Sequence, residues 1–281
     1  MKLLIADAGS TKTDWAYVDR TLGDTLLFRS EGINALLASR VMLDKVMADV
    51  LSHLPADADI DTLYYYGAGC ATQKACDNIR ESAASVIGPK NAEVCSDLLG
   101  AARSLCGDRP VIACILGTGS NSCLYDGKNI TDNIPPLGFI LGDEGSGTAF
   151  GKRLLSDAFK RVMPENLRSK FFDRYSLSMP DVLENVYRGN RPGKYIARFA
   201  EFIGENREDE YIVGMVEEEF SKFFRRNLAP YRDAHKLPVN FTGSIAFHLS
   251  AMLRSAAEKE GFSVGNITKC PMDGLLKYHK S

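Results

Sequence analysis

Residues 2–18 read KLLIADAGSTKTDWAYV, and residues 111–125 read VIACILGTGSNSCLY. Each is an apolar run of strand length, then a turn of Gly, Ser and Thr, then a return strand. In the first, Lys2–Asp7 is the strand, Ala8-Gly9-Ser10-Thr11 the turn and Thr13–Val18 the return. In the second, Val111–Leu116 runs into Gly117-Thr118-Gly119-Ser120 and returns along Asn121–Tyr125. The pair reads as one device used twice. Between the two hairpins, Thr25–Phe28 reads as a third strand. Residues 39–53 place Val41, Leu43, Val46, Met47, Val50 and Leu51 at helical spacing. Thr62–Tyr66 is a strand ending at Gly67 and Gly69, Thr72–Ile87 a helix, Ala92–Cys95 a strand, and Ser96-Asp97 opens a helix to about Leu105. The order β-β-β-α-β-α-β-α then begins again at Val111.

Beyond the second hairpin and the turn at Asp126-Gly127, a long helical middle runs from Gly147 to about Ala229. It is broken near Met163-Pro164 and over 188–193, and stopped by Pro230, which cannot continue a helix. Val239–Thr242 is a strand, Gly243-Ser244 a turn, Ile245–Glu258 a helix and Phe262–Ile267 a late strand. The expected fold is α/β, with two domains that each hold a mixed five-stranded sheet. One is expected over 1–107, with a terminal helix, 271–281, packing back on it; the other over 108–270.

The chain has 281 residues, 45% hydrophobic and 25% charged, with a formal net charge of −2. This is the composition of a globular protein with no overall field for nucleic acid or an anionic membrane. The apolar start, Met1 to Ala6, is broken by Asp7 and is too short for a secretion signal or a spanning helix, so the cytoplasm is the expected compartment. The seven cysteines are odd in number and contain no Cys-x-x-Cys pair, which argues against a disulfide framework and a zinc site. Most read as small buried hydrophobes. Cys70 and Cys76, beside Gly69, are the pair from which an iron–sulfur ligand set shared across a dimer would be drawn.

Two common phosphate-binding loops fail on spacing. Gly147-Thr148-Ala149-Phe150-Gly151-Lys152-Arg153 departs from a Walker A loop, and Arg153 cannot replace the magnesium-binding hydroxyl. Gly145-x-Gly147 is followed by Phe150 and Gly117-x-Gly119 by Ser122, where a Rossmann loop needs glycine. What remains is a pair of hairpin turns offering backbone N–H groups and hydroxyls to phosphate, with glycine allowing close approach. Asp7 would hold Mg²⁺ through water, since Mg²⁺ sheds water reluctantly, and Lys12 would reach phosphate. Read blandly, each turn is a polar surface hairpin. Asp97 reads either as a helix cap or as a general base taking the proton of an attacking hydroxyl. The stretch 136–147, with Gly142-Asp143-Glu144-Gly145 at its centre, reads either as acids favoured before a helix or as acceptors for sugar hydroxyls.

Taken in order, Asp7-x-Gly9-Ser10-Thr11-Lys12-Thr13, Ser96-Asp97, Gly117-Thr118-Gly119-Ser120-Asn121, Gly142-Asp143-Glu144-Gly145-Ser146 and Gly243-Ser244 resemble the N-acetylglucosamine kinase family. The wider group includes the ATPase activators of benzoyl-CoA reductase and 2-hydroxyacyl-CoA dehydratase. The resemblance covers nearly the whole chain. It implies two ribonuclease-H-like domains of the actin/hexokinase type, with a cleft between them closing over ATP, Mg²⁺ and a small sugar. By motif match, Gly9, Ser10, Thr11, Lys12, Gly117, Thr118 and Gly119 would face phosphate, and Gly243 and Ser244 would lie near adenosine. Asp97 would be the base, and Asn34, Ser120, Asn121, Gly138 and Asp143 would contact the sugar.

Three features depart from the animal enzymes. Asn34-Ala35-Leu36 lacks their aromatic, Ala68 stands where they have serine, and Phe139 follows Gly138 where their tryptophan precedes the glycine. The expected activity is ATP-dependent phosphorylation of a hexosamine, N-acetylglucosamine first. The alternative is an ATPase that drives electron transfer in a partner. Expected partners are the sugar and, in an oligomer, a second copy of the chain as a homodimer, with no nucleic acid and no membrane.

Overall fold

The computed structural model of the chain describes residues 1–56 and 58–280. Asp57, in the expected 55–61 loop, and Ser281, the last residue of the expected terminal helix, lie outside the described residues. The chain divides into two compact units, Met1–Asp108 together with the segment from Pro271 on, and Arg109–Cys270. The first carries β1 (Lys2–Ala8), β2 (Lys12–Asp19), β3 (Asp24–Glu31), α1 (Arg40–His53), β4 (Thr62–Gly67), α2 (Gln73–Val86), β5 (Asn91–Ser96) and α3 (Asp97–Cys106). The second opens with β6 (Val111–Leu116), β7 (Ser120–Tyr125) and β8 (Ile130–Asp132), followed by α4 (Gly138–Leu141), α5 (Gly147–Phe159), α6 (Glu165–Tyr175), α7 (Met179–Tyr187), α8 (Pro192–Ala197), α9 (Glu201–Glu205) and α10 (Glu210–Phe223). It closes with β9 (Val239–Thr242), α11 (Ser244–His248), α12 (Ser250–Lys259) and β10 (Val264–Thr268), after which α13 (Met272–Lys280) belongs to the first unit.

The two sheets repeat one plan. Their strand orders are β3-β2-β1-β4-β5 and β10-β9-β6-β7-β8, so each has an antiparallel meander on one side and two parallel strands on the other. Both are mixed five-stranded sheets, as the repeated hairpin implies. In the first unit the parallel register places Ala8 beside Gly67 and Gly67 beside Ser96. One row across the carboxyl ends of β1, β4 and β5 therefore has Asp7 just before it and Asp97 just after it.

Burial explains the local choices. β1 is the middle strand, and Leu3, Leu4, Ile5 and Ala6 are all buried, as expected of a strand covered on both faces. On one face it packs with Trp15, Tyr17 and Leu63 against Leu43, Val46, Met47 and Val50 of α1 and Ile79 and Ala83 of α2. Ser39 and Thr72 cap those helices, accepting from Met42 N and Ala75 N. α13 packs against α3, and Gly274 permits it, because a Cβ there would lie 2.1 Å from the Ser104 carbonyl oxygen. A partly buried polar cluster completes the joint. Arg103 Nη1 donates to Glu93 Oε1 at 2.6 Å and to Tyr66 Oη at 2.8 Å, while Tyr66 Oη lies 2.8 Å from His279 Nε2. The His279 ring stacks on Tyr64 with centroids 3.8 Å apart.

The second unit is held by phenylalanine. Phe150, Phe171, Phe199, Phe202, Phe220, Phe223, Phe224 and Phe241 are fully buried, and pairs such as Phe150–Phe220 meet edge to face at 5.2 Å. Truncating one of these to alanine is expected to destabilise by about 3–5 kcal/mol. The helical middle has more breaks than the sequence suggests. Ser176, at φ 48°, ends α6 in the left-handed region, and Ser178 caps α7 with a proline in its first turn. The helix expected over 245–258 is two, separated at Leu249, and the short strand β8 was not anticipated. Among the described residues no helix is long and apolar enough to cross a membrane.

Burial, reinforced by the Arg103 charge, holds the His279 imidazole down to about 4. An unfolded imidazole takes its proton near 6.5, about the usual value, so between roughly pH 6.5 and 4 the unfolded chain binds more protons and stability falls as pH falls. Going from pH 7 to pH 5, the melting temperature of the wild type should therefore shift downward relative to that of His279→Phe. Equal slopes for the two proteins would contradict this account of the α13 joint.

Candidate active-site residues

In the first unit, Asp7, next to the end of β1, lies opposite Asp14 of β2. The Asp14 carboxylate is ion-paired with Lys12 Nζ at 2.6 Å and Arg29 Nε at 2.5 Å, and these cations hold it below the usual carboxylate range despite burial. Asp7 is pushed up to about 7, mainly by burial, then by the neighbouring charges of Asp14 and Asp97, with Lys12 opposing. The turn between them is drawn tight. Gly9 N donates to the Lys12 carbonyl at 3.0 Å, and Gly32 N donates to the Thr11 carbonyl at 3.3 Å. A Cβ on Gly32 would lie 2.2 Å from Lys12 N and 2.4 Å from the Gly9 carbonyl oxygen, so only glycine lets the exit of β3 back the turn this closely. Ser10 is left exposed at the tip and Thr11 half-buried.

Asp97 is the first residue of α3. The cap is Ser96, whose Oγ accepts from Leu99 N at 3.3 Å, so the capping duty does not fall to Asp97. Asp97 Oδ1 accepts from Leu98 N at 2.9 Å, which favours its charged form, but burial outweighs this and raises its pKa. Asn34 follows β3, with its Oδ1 accepting from Leu36 N at 3.1 Å. Ala35 N donates to the Ala68 carbonyl at 2.9 Å and Ala68 N to the Ala8 carbonyl at 2.8 Å, which ties the Asn34 loop to the residue after Asp7. Gly69, at φ 79°, makes this possible, since a Cβ there would lie 2.2 Å from Asn34 Oδ1. Asp7, the 9–12 turn, Asn34 and Asp97 thus gather at the carboxyl ends of parallel strands, where ligands of open α/β sheets bind.

The second unit assembles the remaining residues. Gly117 N donates to the Gly119 carbonyl at 2.9 Å, closing the turn, and Gly147 N and Thr148 N reach back to the carbonyls of Gly117 and Thr118 at 2.8 and 3.0 Å. The turn is thereby fixed to the first residues of α5. Asp143 is buried, sits in the left-handed region at φ 58°, and accepts Ser120 N at 3.2 Å on Oδ1. Gly119 makes room for it, because a Cβ there would meet Asp143 Oδ2 at 3.0 Å. Burial raises the Asp143 carboxyl against the pull of the Ser120 N–H and the Lys152 charge. Glu144 turns aside to Arg226 at 2.5 Å. The Ser120 hydroxyl is buried and, among the described residues, has no hydrogen-bond partner, an unsatisfied group that a bound ligand would complete. Asn121 Oδ1 accepts from Ser122 N and from Asn133 Nδ2. Gly138, at φ 72°, opens α4 and accepts Gly142 N at 2.8 Å. Gly243, at φ 119°, abuts the Leu116 carbonyl, which a Cβ would approach to 2.2 Å, and Ser244 follows it, exposed at the start of α11.

Each unit therefore brings its own candidates together. Three contributors were missed in the sequence. Asp14 is legible in principle, because a tight hairpin between residues 8 and 13 sets Asp7 against Asp14. Gly32 and Thr148 leave no such signal, since their roles depend on approaches between segments distant in sequence. Cys70 and Cys76 are buried, with Cys76 Sγ 3.7 Å from the Cys70 carbonyl, and burial pushes the Cys70 thiol up to about 12.

The donor chemistry fits a magnesium nucleotide. Asp7 supplies a hard oxygen, and a cation would relieve the crowding of negative charge that raises its pKa. The same crowding makes a stability prediction. The folded protein holds the Asp7 proton up to about pH 7 while an unfolded aspartate loses it near 3.9, so stability falls as pH rises through that window. Ligand-free Asp7→Asn should melt above the wild type at pH 8, with the gap narrowing at pH 5. A variant melting below the wild type at pH 8 would contradict the assignment.

No family model and no curated protein matches the chain. Solved structures do. A proposed N-acetylglucosamine kinase from Porphyromonas gingivalis is 41% identical, with 99% of this chain and 98% of that one covered and a TM-score of 0.93. A second proposed N-acetylglucosamine kinase, from Chromobacterium violaceum, is 19% identical over 99% of this chain and 98% of that one, with a TM-score of 0.71. A ROK family glucokinase from Streptomyces griseus, solved with glucose and AMPPNP, shares the fold at 15% identity and a TM-score of 0.56, covering 100% of this chain and 98% of that one. With 41% identity sustained over both units to the first of these, and with both sheets in the duplicated strand order, the chain belongs to the N-acetylglucosamine kinase family of the actin/hexokinase-type fold.

Proposed function

We propose that the chain is an ATP-dependent hexosamine kinase of the cytoplasm, with N-acetylglucosamine its leading acceptor. The observation that carries the chemistry is Asp97: a carboxylate at the carboxyl end of β5, not used as the helix cap, with burial raising its proton affinity. A base whose pKa moves toward the working pH is better matched to taking a hydroxyl proton. The reading is supported by the relative from Porphyromonas gingivalis, itself proposed to be an N-acetylglucosamine kinase.

In this proposal Asp97 accepts the proton of the attacking sugar hydroxyl as its oxygen bonds to the γ-phosphorus. The bond from that phosphorus to the β–γ bridging oxygen breaks, and ADP leaves with the electron pair. Asn34, Ser120, Asn121, Gly138 and Asp143 orient the sugar, the buried Ser120 hydroxyl gaining the partner it lacks. Gly9, Ser10, Thr11, Lys12, Gly117, Thr118 and Gly119 hold the phosphates. For Lys12 this requires exchange from Asp14 to phosphate. Gly243 and Ser244 lie by adenosine. Asp7 would hold Mg²⁺ through water, and the ion would offset phosphate charge.

Asp97→Asn keeps an oxygen for Leu98 N and leaves the Ser96 cap untouched, so folding should be retained. The variant removes a buried acid whose charged form burial disfavours and should melt at or above the wild type. Turnover should fall by about 10²–10⁴, the usual worth of a positioned base, with MgATP affinity kept. Retention of more than about a tenth of wild-type turnover would remove Asp97 from the base role. Thr118→Ala should instead weaken MgATP binding by about 1.5–3 kcal/mol, and unchanged affinity by calorimetry would count against the phosphate turn.

A further inference from the structure

Where α7 gives way to α8, residues 185–198 line an open surface cavity of about 350 Å³, its lining side chains exposed except for the half-buried Tyr195. None of the residues assigned above to nucleotide or sugar lines it. Its walls carry Arg191, Lys194 and Arg198 with the amides of Asn185 and Asn190 and the ring of Tyr195, and no acidic side chain. We propose that this cavity is a second binding site, for a small phosphorylated ligand of monosaccharide size.

Charge is the first argument. Lys194 and Arg198 at one small volume suit a dianionic phosphate better than a singly charged carboxylate, and a guanidinium group binds phosphate oxygens in pairs. The acids nearest in sequence are engaged elsewhere: Asp181 accepts Ser178 Oγ, Glu184 pairs with Arg188, and Glu201 and Glu205 pair with Arg174. Among the described residues neither Lys194 nor Arg198 has a carboxylate partner.

Shape is the second argument. The Arg198 guanidinium lies over the Tyr195 ring at 4.3 Å and also faces Phe199 at 4.7 Å, which fixes its plane before any ligand arrives. Gly189 folds the α7–α8 connection tightly, since a Cβ there would lie 2.4 Å from the Asn185 carbonyl oxygen. Asn185 Nδ2 donates to the Asp181 carbonyl at 2.8 Å, which leaves Oδ1 as an acceptor for a ligand hydroxyl. Behind the cavity α8 is seated on α5, where a Cβ on Gly151 would meet the Ile196 carbonyl oxygen at 2.0 Å and one on Gly147 the Ala197 methyl at 3.3 Å. A preformed wall of this kind loses little freedom on binding.

Calorimetry of the full chain with glucosamine 6-phosphate and with inorganic phosphate tests the site, using wild type, Lys194→Gln combined with Arg198→Gln, and Tyr195→Ala. Hydrogen exchange on the wild type with glucosamine 6-phosphate gives a readout that needs no variant. We expect saturable binding of both probes and tighter binding of glucosamine 6-phosphate. The double variant should lose at least about tenfold in affinity for both, and Tyr195→Ala, which also frees Arg198, should lose more affinity for the sugar phosphate than for inorganic phosphate. Protection should rise over 185–198. Binding of the same strength in the double variant, protection only elsewhere, or no heat at about 10 mM probe would overturn the site. Equal affinity for the two probes would overturn its monosaccharide size.

Discussion

Three carboxylates crowd the carboxyl ends of β1 and β5, and only one is neutralised by the protein. Asp14 takes Lys12 and Arg29 as partners, while Asp7 meets burial and two like charges opposed only by the more distant Lys12 charge, and Asp97 meets burial relieved by the Leu98 N–H and its own. A fold selected for stability alone would replace such groups with apolar ones, because burying an uncompensated charge is among the most expensive arrangements in a protein interior. On the proposed function, a ligand that brings positive charge and a proton to be taken would offset that cost. The rest of the first unit serves this arrangement: glycine at 32 backs the turn, the Ser96 cap frees Asp97, and the parallel register sets the two acids on either side of one row.

The two units show how one plan is turned to different ends. Their strand orders correspond element by element, and each keeps a glycine-containing turn after its first strand. In the first unit that turn leads from an aspartate and is braced by the strand exit at Gly32. In the second, the residue matching Asp7 is apolar, and the turn is braced by α5 through Gly147 and Thr148. The acid is supplied from further along the chain, as Asp143, held in a left-handed conformation under the Ser120 N–H. Such a backbone conformation at a non-glycine residue is maintained only where the surroundings determine it, and here the Pro136 carbonyl and the Ser120 N–H both do so.

The fold was legible because its signal is periodic and doubled. Alternating and apolar runs gave the strands to within a few residues, and the two hairpins gave the repeat. The breaks at Ser176 and Leu249 were not legible, because a left-handed helix end and a mid-helix break at leucine have no composition of their own. The split over the role of Asp97 is a case where sequence leaves two readings open. Ser96 and Asp97 are both capping residues, and only the bond from Leu99 N to Ser96 Oγ separates them. Gly119 and Asp143 were each singled out, but that one leaves room for the other depends on packing across 24 residues of chain.

The most direct test of the account is ADP release by the purified chain with MgATP over a panel of sugars and amino sugars, with ³¹P spectra of the product. The account predicts ADP formed in step with a hexosamine phosphate ester, fastest with N-acetylglucosamine and close to background without sugar. ATP hydrolysis that proceeds unchanged without any sugar, yielding only inorganic phosphate, would contradict it.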